Sequence, residues 1–189
     1  SDVYKRQTIG RILLECEQQG ILEKVSNKGR IITEKGKDLL KNYYEKEKML
    51  KTANNLIQQV GNATKKDFLE ILEVRKLLEV KACEDACQYA TDEEINELKG
   101  LLFDYIRERY NNNLGNEQDL KLHLKIAEMS KNKTILHIMT LILTSDNSYT
   151  TFALVSSSMD VDPAQWHTDI VEAIEKRDVK EAGSSMYKH

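Results

Sequence analysis

The sequence predicts a mainly α-helical protein. Apolar residues recur at three- and four-residue spacing over most of the chain, which is typical of amphipathic helices. The 189 residues include only one proline and eight glycines, and 31% of them are charged. Few helix breakers and many charges are typical of a soluble helical protein that is long enough to bury a core. We therefore expect an all-helical bundle, preceded by a small head with a short β-hairpin.

The first forty residues predict a small head made of a helix and a hairpin. Residues 8–19 have the apolar spacing of a helix, Gly20 ends it, and two short apolar segments flank a turn at 27–29, which predicts a β-hairpin. A helix beginning near Lys37 follows. This order resembles the second half of a winged helix-turn-helix domain, so the first helices of such a head are expected to be missing. The expected DNA contacts are Thr8 and Arg11 on the recognition helix, and Lys28 and Arg30 on the wing.

Charge supports a division between this head and the rest. Residues 1–51 carry 12 basic against 8 acidic side chains, a balance of +4, and residues 52–189 carry 16 against 23, a balance of −7. A basic head on an acidic body favours contact of the head with a polyanion, although ordinary surface variation and a merely solvated turn are alternatives. We expect a partial head at 1–40, a linker helix at 41–63 and a helical ligand- and metal-binding domain at 64–189. Residues 1–7 show no helical or strand pattern and are left out of the expected fold.

Hydropathy and the cysteines predict the cellular compartment. No apolar run approaches the roughly 18 residues of a membrane span, and no signal peptide is recognisable. The cysteines, Cys16, Cys83 and Cys87, have no framework spacing, so reduced thiols in a cytoplasmic protein are expected. A metal role for Cys83 and Cys87, one helical turn apart, would lack a second pair of ligands.

Helix ends can be placed from capping patterns in the second part of the chain. Thr64 with Asp67, and Thr91 with Glu94, have the spacing of capping boxes. Asn111–Asn113 ends a helix and the central helix follows, to about Ser130. Asn132 begins the next one, and a break is expected at 176–178. A loop is expected from Ser156 to Asp162, followed by a helix with Pro163 in its first position.

A carboxylate and an imidazole share one helix face in the stretch 116–132. Asp119 and His123 are four residues apart, so both side chains project from the same side of a largely buried helix. Of the other histidines, His167 and His189 lie in two later amphipathic segments, and His137 is read as an ordinary helix residue. One Asp and three His from three helices would form a coordination shell for a divalent cation. A buried Asp–His hydrogen bond without metal is the alternative.

Three stretches, in order, resemble the FCD ligand-binding domain of FadR-type GntR transcription regulators. EVRKLLEVKACEDACQYATDEEINELKGLL resembles the two opening helices of that domain. DLKLHLKIAEMSKN resembles its Asp-x-x-x-His helix and the turn that follows, and HTDIVEAIEKRDVKEAGSSMYKH resembles its closing pair of helices. The resemblance covers about residues 67–189 and implies an FCD-like bundle.

The resemblance also implies a ligand set and an effector. In the metal-containing branch of the family, the matching Asp and three His hold a divalent cation, here Asp119, His123, His167 and His189, and Zn, Ni and Mn are all compatible. A small carboxylate would bind at the metal, with Arg75 helping. The alternative for Arg75 is a salt bridge with an acid of a neighbouring helix. Because His189 is the last residue, we expect it to be loosely held.

The function expected from these residues is that of a ligand-responsive transcription regulator. Its partners would be a DNA operator, a small carboxylate effector and a second copy in a homodimer, with no membrane. One alternative is a metal-dependent hydrolase, but no second carboxylate is placed as a general base, since Glu128 lies off the ligand face. The other alternative is a metal-free helical interaction scaffold.

Overall fold

Eight helices and a two-stranded sheet make up the part of the chain that the structure describes. In this computed structural model the described residues are 2–25, 29–145 and 163–189, so the loop expected at 156–162 and Lys28 of the expected wing lie outside them. Tertiary contacts divide the chain into two compact units, Ser1–Asn55 and Leu56–His189. The elements in order are α1 (Asp2–Gln18), β1 (Leu22–Lys24), β2 (Arg30–Ile32), α2 (Glu34–Gly61), α3 (Lys65–Tyr89), α4 (Asp92–Tyr110), α5 (Asn116–Met129), α6 (Lys133–Leu143), α7 (Pro163–Glu175) and α8 (Val179–Lys188).

The first helix begins earlier than the sequence pattern suggested. α1 starts at Asp2, so the expected start of this helix at Thr8 is wrong. Apolar periodicity detects a helix only through the face that it buries, whereas Lys5, Arg6 and Gln7 are good helix formers in their own right. The predicted end is confirmed, because Gly20 has a positive φ of 70° just after the last helical turn.

The hairpin and the start of α2 are joined by Thr33 and Gly36. β1 and β2 pair antiparallel, with Leu22 opposite Ile32. The hydroxyl of Thr33 donates to the carbonyl oxygen of Gly20 at 2.7 Å and accepts from the backbone N–H of Gly36 at 3.0 Å. A Cβ at position 36 would lie 2.3 Å from the carbonyl oxygen of Ile21, so only glycine allows this approach.

The second unit is a helical bundle with one main apolar core. α3 packs on α5 and α8, α4 packs on α5 and α7, and α7 packs on α8. The predicted helical bundle is therefore confirmed. The largest side chains with almost no exposed surface include Leu98, Leu122, Met129, Met139, Ile170 and Ile174.

Hydrogen bonds at the helix ends confirm the capping patterns. Thr64 and Thr91 each accept from the backbone N–H three residues later, and Asp67 and Glu94 each accept in return from the capping residue. Between α5 and α6, the hydroxyl of Ser130 accepts from the N–H of Asn132. These caps fix where each helix begins, and they therefore set the register of the side chains that face the core.

Two further expectations concern membranes and thiols. Among the helices of the described residues, none combines the length and the apolar character needed to cross a bilayer. The three cysteines are free, and Cys83 and Cys87 are buried in the core. Burial raises the pKa of the Cys87 thiol to about 11, which makes it a weak nucleophile and a poor metal ligand at neutral pH.

Replacing the cap of α4 should destabilise the second unit measurably. Thr91→Ala removes the hydroxyl that accepts from the N–H of Glu94, so the free energy of unfolding should fall by about 1 kcal/mol. Urea unfolding followed by circular dichroism measures it. The control is Thr140→Ala, whose exposed hydroxyl bonds only the carbonyl of Leu136 within its own helix and which should change stability by less than ~0.5 kcal/mol. Equal losses in the two variants would contradict a capping role.

Candidate metal centre

Helix α5 presents Asp119 and His123 toward the interior of the bundle. Gly115 precedes α5 with a φ of 70° and Asp119 lies in its first turn. His123, one turn later, is 2% exposed and lies among core residues. Because the two residues are one turn apart, their side chains project from the same face, as the sequence predicted.

Two other helices bring imidazoles to the same place. His167 on α7 is also 2% exposed, and its Nε2 lies 3.4 Å from Nε2 of His123. Nε2 of His189, at the end of α8, lies 3.1 Å from Nε2 of His167. Oδ1 of Asp119 lies 3.0 Å from Nε2 of His167 and 3.8 Å from Nε2 of His123. One donor atom from each of the four residues falls within 4.8 Å of all the others.

These separations fit the residues to a divalent cation. Donor atoms bound at about 2.0–2.1 Å in tetrahedral or octahedral geometry lie about 3.0–3.4 Å apart. The spacings of 3.0, 3.1 and 3.4 Å fall in this range, and the 3.8 Å between Oδ1 of Asp119 and Nε2 of His123 is somewhat longer. Converging imidazole nitrogens cannot all carry protons, because N–H groups that point at one another repel. A cation satisfies their lone pairs together, so the donor set fits a metal.

A residue that the sequence analysis did not single out completes the cluster. Oε1 of Glu79, on α3, lies 2.6 Å from Nδ1 of His123, and both side chains are buried. The two atoms are not aligned as in a regular hydrogen bond, and neither has another hydrogen-bond partner among the residues that the structure describes. The close approach nevertheless favours a proton on Nδ1 of His123, which leaves Nε2 as a lone pair facing the cluster. A carboxylate behind a ligating histidine commonly has this effect.

Arg75 lies behind Glu79. Its Nε donates to Oε2 of Glu79 at 3.0 Å, and both side chains are less than a tenth exposed. Burial opposes ionisation of Glu79, but the charge of Arg75 and then that of His123 outweigh it and lower the pKa of Glu79 to about 2. Glu79, an acid that pairs with Arg75, is therefore on the same helix, α3.

The ligand candidates differ in their protonation. Burial disfavours ionisation of Asp119, yet the charges of His123 and His167 and a hydrogen bond from His167 hold its pKa well below the usual range. Burial also disfavours the cation of His123, but Glu79 and Asp119 raise its pKa. Burial and the neighbouring imidazoles lower the pKa of His189 well below its usual value. Asp119 is thus an anion and His189 a neutral imidazole near pH 7, and a metal would compete with any proton on Nε2 of His123.

Aromatic rings support two of the imidazoles. The ring of Tyr105, on α4, lies 4.6 Å from that of His167 between centroids. The ring of Trp166 lies 5.9 Å from that of His189, and the backbone N–H of His189 donates to the carbonyl of Ser185 at 3.0 Å. His189 is therefore held by a helical hydrogen bond and ring contacts, in contrast to the loose attachment expected from its position.

Comparison with known proteins agrees with this architecture. The family model described as FCD domain matches residues 70–189. The chain belongs to the FCD domain family. A curated relative is the HTH-type transcriptional regulator LutR of Bacillus subtilis (strain 168), 31% identical over 75 residues, which are 40% of this chain and 34% of LutR. That match therefore spans about a third of the relative's length.

Two solved structures share the fold. Streptococcus agalactiae GntR is 21% identical, with a TM-score of 0.53 over 97% of this chain and 78% of its own. E. coli McbR/YncC is 13% identical, with a TM-score of 0.57 over 93% of this chain and 72% of its own. The expected FCD-like fold and the resemblance to GntR-type regulators are thus confirmed. LutR is a transcriptional regulator, which agrees with the expectation of a regulator and not an enzyme.

The remaining site residues have different surroundings. His137 is exposed on α6, outside the histidine cluster of the FCD domain. In the first unit, Thr8 and Arg11 are exposed on α1, and Nε of Arg11 lies 3.7 Å from Glu15. Nε of Arg30 contacts the carboxylate of Glu17, a partner in α1 that the sequence did not indicate. The assignment of Thr8, Arg11, Lys28 and Arg30 to DNA binding stays a prediction.

Changing Glu79 should weaken metal binding by the FCD domain. Glu79→Gln removes the carboxylate behind His123, and such a change typically lowers metal affinity 10- to 100-fold. Competition with a chelator of known affinity measures it. The matched control is Asp85→Asn, which changes a buried acid one and a half turns further along α3, whose ion-pair partner is Lys81. Metal affinity should be unchanged in the control, and an unchanged affinity in Glu79→Gln would refute the positioning role.

Proposed function

We propose that this FCD domain senses a small carboxylate at a divalent cation (Zn, Ni or Mn) held by Asp119, His123, His167 and His189. The observation that carries the proposal is the convergence of four donor atoms within 4.8 Å. A bound cation would supply a Lewis-acidic anchor for a carboxylate oxygen. The four residues come from three helices, so their position around a cation depends on how α5, α7 and α8 pack together.

The protein's own residues have distinct roles in this proposal. Asp119 supplies negative charge, and His123 and His167 supply buried imidazole nitrogens. Glu79 orients His123 and favours its Nε2 lone pair. Arg75 is the basic residue nearest to this arrangement on α3. It either helps to hold the effector carboxylate or serves only as the partner of Glu79.

The proposal extends to the rest of a GntR-type transcription regulator. The winged-helix head would bind a DNA operator, with Thr8 and Arg11 near the bases and Lys28 and Arg30 near phosphates, in a cytoplasmic homodimer. The proposed divisions are a head at 1–40, a linker helix at 41–63 and the sensing domain at 64–189. The effector alters DNA binding only if it has different affinities for the DNA-binding and non-binding states.

Metal content is the first test. The purified protein, incubated with Zn²⁺, Ni²⁺ or Mn²⁺ and then desalted, should retain about one equivalent of metal per chain. His167→Ala should lose most of it, because a buried donor at the centre of the cluster is removed, while far-ultraviolet circular dichroism stays largely unchanged. Elemental analysis by mass spectrometry provides the readout.

The control variant for this test is His137→Ala. It also removes an imidazole, but from an exposed position on α6, and it should keep the metal. If the unchanged protein retains no metal from any of the three salts, or His167→Ala retains as much as the control, the metal-free scaffold interpretation is favoured and the proposal fails.

Carboxylate binding is the second test. In a thermal-shift screen of small carboxylates, a binder present at 100 times its Kd should stabilise the metal-loaded protein by about 2.7 kcal/mol. The stabilisation should vanish in protein stripped of metal. A panel with no stabiliser in the metal-loaded protein would contradict carboxylate sensing, even if the metal itself is bound.

Arg75→Lys then separates the two roles of that residue. Lysine keeps a charge for Glu79 but loses the planar fork that binds a carboxylate through two nitrogens. An effector role predicts a roughly tenfold or greater loss of carboxylate affinity with metal content unchanged. The matched control is Arg107→Lys, an exposed arginine of α4 paired with Asp104, which should leave both unchanged. Unchanged carboxylate affinity in Arg75→Lys would assign Arg75 to the structural ion pair alone.

A further inference from the structure

Helix α2 carries large apolar side chains although it is exposed to solvent. Every residue from 37 to 59 is exposed. The Leu, Tyr, Met and Ile side chains of this segment expose between 44% and 73% of their surface. A solvated helix is normally polar on its exposed faces, and contiguous exposed apolar surface marks an interaction site.

The apolar residues of α2 repeat every three and a half residues. Steps of four and three residues alternate along one line of the helix, which is the spacing of a two-stranded coiled coil. Leu40, Met49 and Leu56 flank this line, whereas the opposite side is rich in lysine and acidic residues. The line itself, here called the seam, consists of Leu39, Tyr43, Lys46, Leu50, Ala53 and Ile57.

We propose that α2 pairs along this seam with α2 of a second copy of the chain, as a parallel, in-register coiled coil. The only charged residue of the seam is Lys46, and Glu47 follows it directly. In a parallel pair, Lys46 of one copy inserts between residues of the other copy. These include the residue directly after the other copy's own Lys46, which is Glu47. Lys46 of each copy then lies beside Glu47 of the other. Because the pair is symmetric, this contact between opposite charges occurs twice.

The exposed area is sufficient for a specific interface. Seven apolar side chains of α2, on the seam and directly beside it, have between 44% and 73% of their surface exposed: Leu39, Leu40, Tyr43, Met49, Leu50, Leu56 and Ile57. Burying about 100 Å² for each of them in both copies gives on the order of 1,400 Å², within the ~1,200–2,000 Å² of specific interfaces. The polar Lys46 would lower stability but would fix the register.

Sedimentation of the full chain tests the pairing, independently of metal or carboxylate binding. The unchanged protein should sediment as a dimer at micromolar concentration. Leu50→Glu places a charge in the seam and should raise the dimer Kd at least about tenfold. Asn55→Glu adds the same charge on the opposite side of α2 and should leave the Kd unchanged. A monomeric unchanged protein, or equal effects of the two substitutions, would overturn the proposal.

A charge exchange tests the contact between Lys46 and Glu47. Lys46→Glu alone places two carboxylates of each copy next to each other across the seam and should weaken the dimer. Combining it with Glu47→Lys restores opposite charges and should recover most of the affinity. If the double variant is no tighter than Lys46→Glu, the proposed contact is wrong.

Cross-linking tests the parallel orientation. In a Cys16→Ser background, Ala53→Cys introduces a thiol in the seam that faces its own counterpart only when the strands are parallel and in register. Mild oxidation should yield a covalent dimer. Asn55→Cys, on the opposite side, is the control and should not. A dimer that forms without cross-linking through position 53 would refute the parallel arrangement.

Discussion

The contact between Glu79 and His123 is the interaction on which the interior of the FCD domain depends. A carboxylate and an imidazole lie 2.6 Å apart inside a core that is otherwise mostly apolar. Burying charged groups is costly unless they pair with one another. The charges of Arg75, Glu79 and His123 offset one another, and the three side chains form a row from α3 to α5. The relative position of α3 and α5 is thereby coupled to the protonation and orientation of His123, and through it to the donor cluster.

Local features of the sequence were sufficient to predict the helices of the second unit. Threonine caps, an asparagine cap and a proline at a first helical position each act within one turn, so they can be recognised without knowledge of the fold. The spacing of Asp119 and His123 is also local, and it placed both on one face correctly. The position of His167 beside them was expected only from a count of histidines and from family resemblance, because it depends on how α7 packs against α5. Periodicity alone does not fix such long-range packing.

The features that sequence reasoning missed have physical reasons. Glu79 follows Arg75 by four residues and occupies the buried side of α3, where Ile71, Ala82 and Ala86 also lie. An acid and a base in an otherwise apolar stripe were a signal of a buried pair, but the partner on α5 was not visible. Arg30 was expected to face phosphates, and its contact with Glu17 arises from the hairpin folding back toward α1. The early start of α1 was missed because Lys5, Arg6 and Gln7 favour a helix through propensity and not through an apolar stripe.

The donor cluster is not equally enclosed on all sides. His123 and His167 have side chains that are at most 3% exposed, whereas that of Asp119 is 32% exposed. A cation held by all four residues would therefore be shielded by the imidazoles and reached most easily beside the carboxylate. An anionic effector approaching from that side would meet the negative charge of Asp119 first, so its binding requires a stronger positive charge just behind it. A cation within the cluster would provide such a charge, whereas the Nε of Arg75 already donates to Glu79. Carboxylate binding and metal binding are thus expected to be one coupled event at this site and not two independent ones.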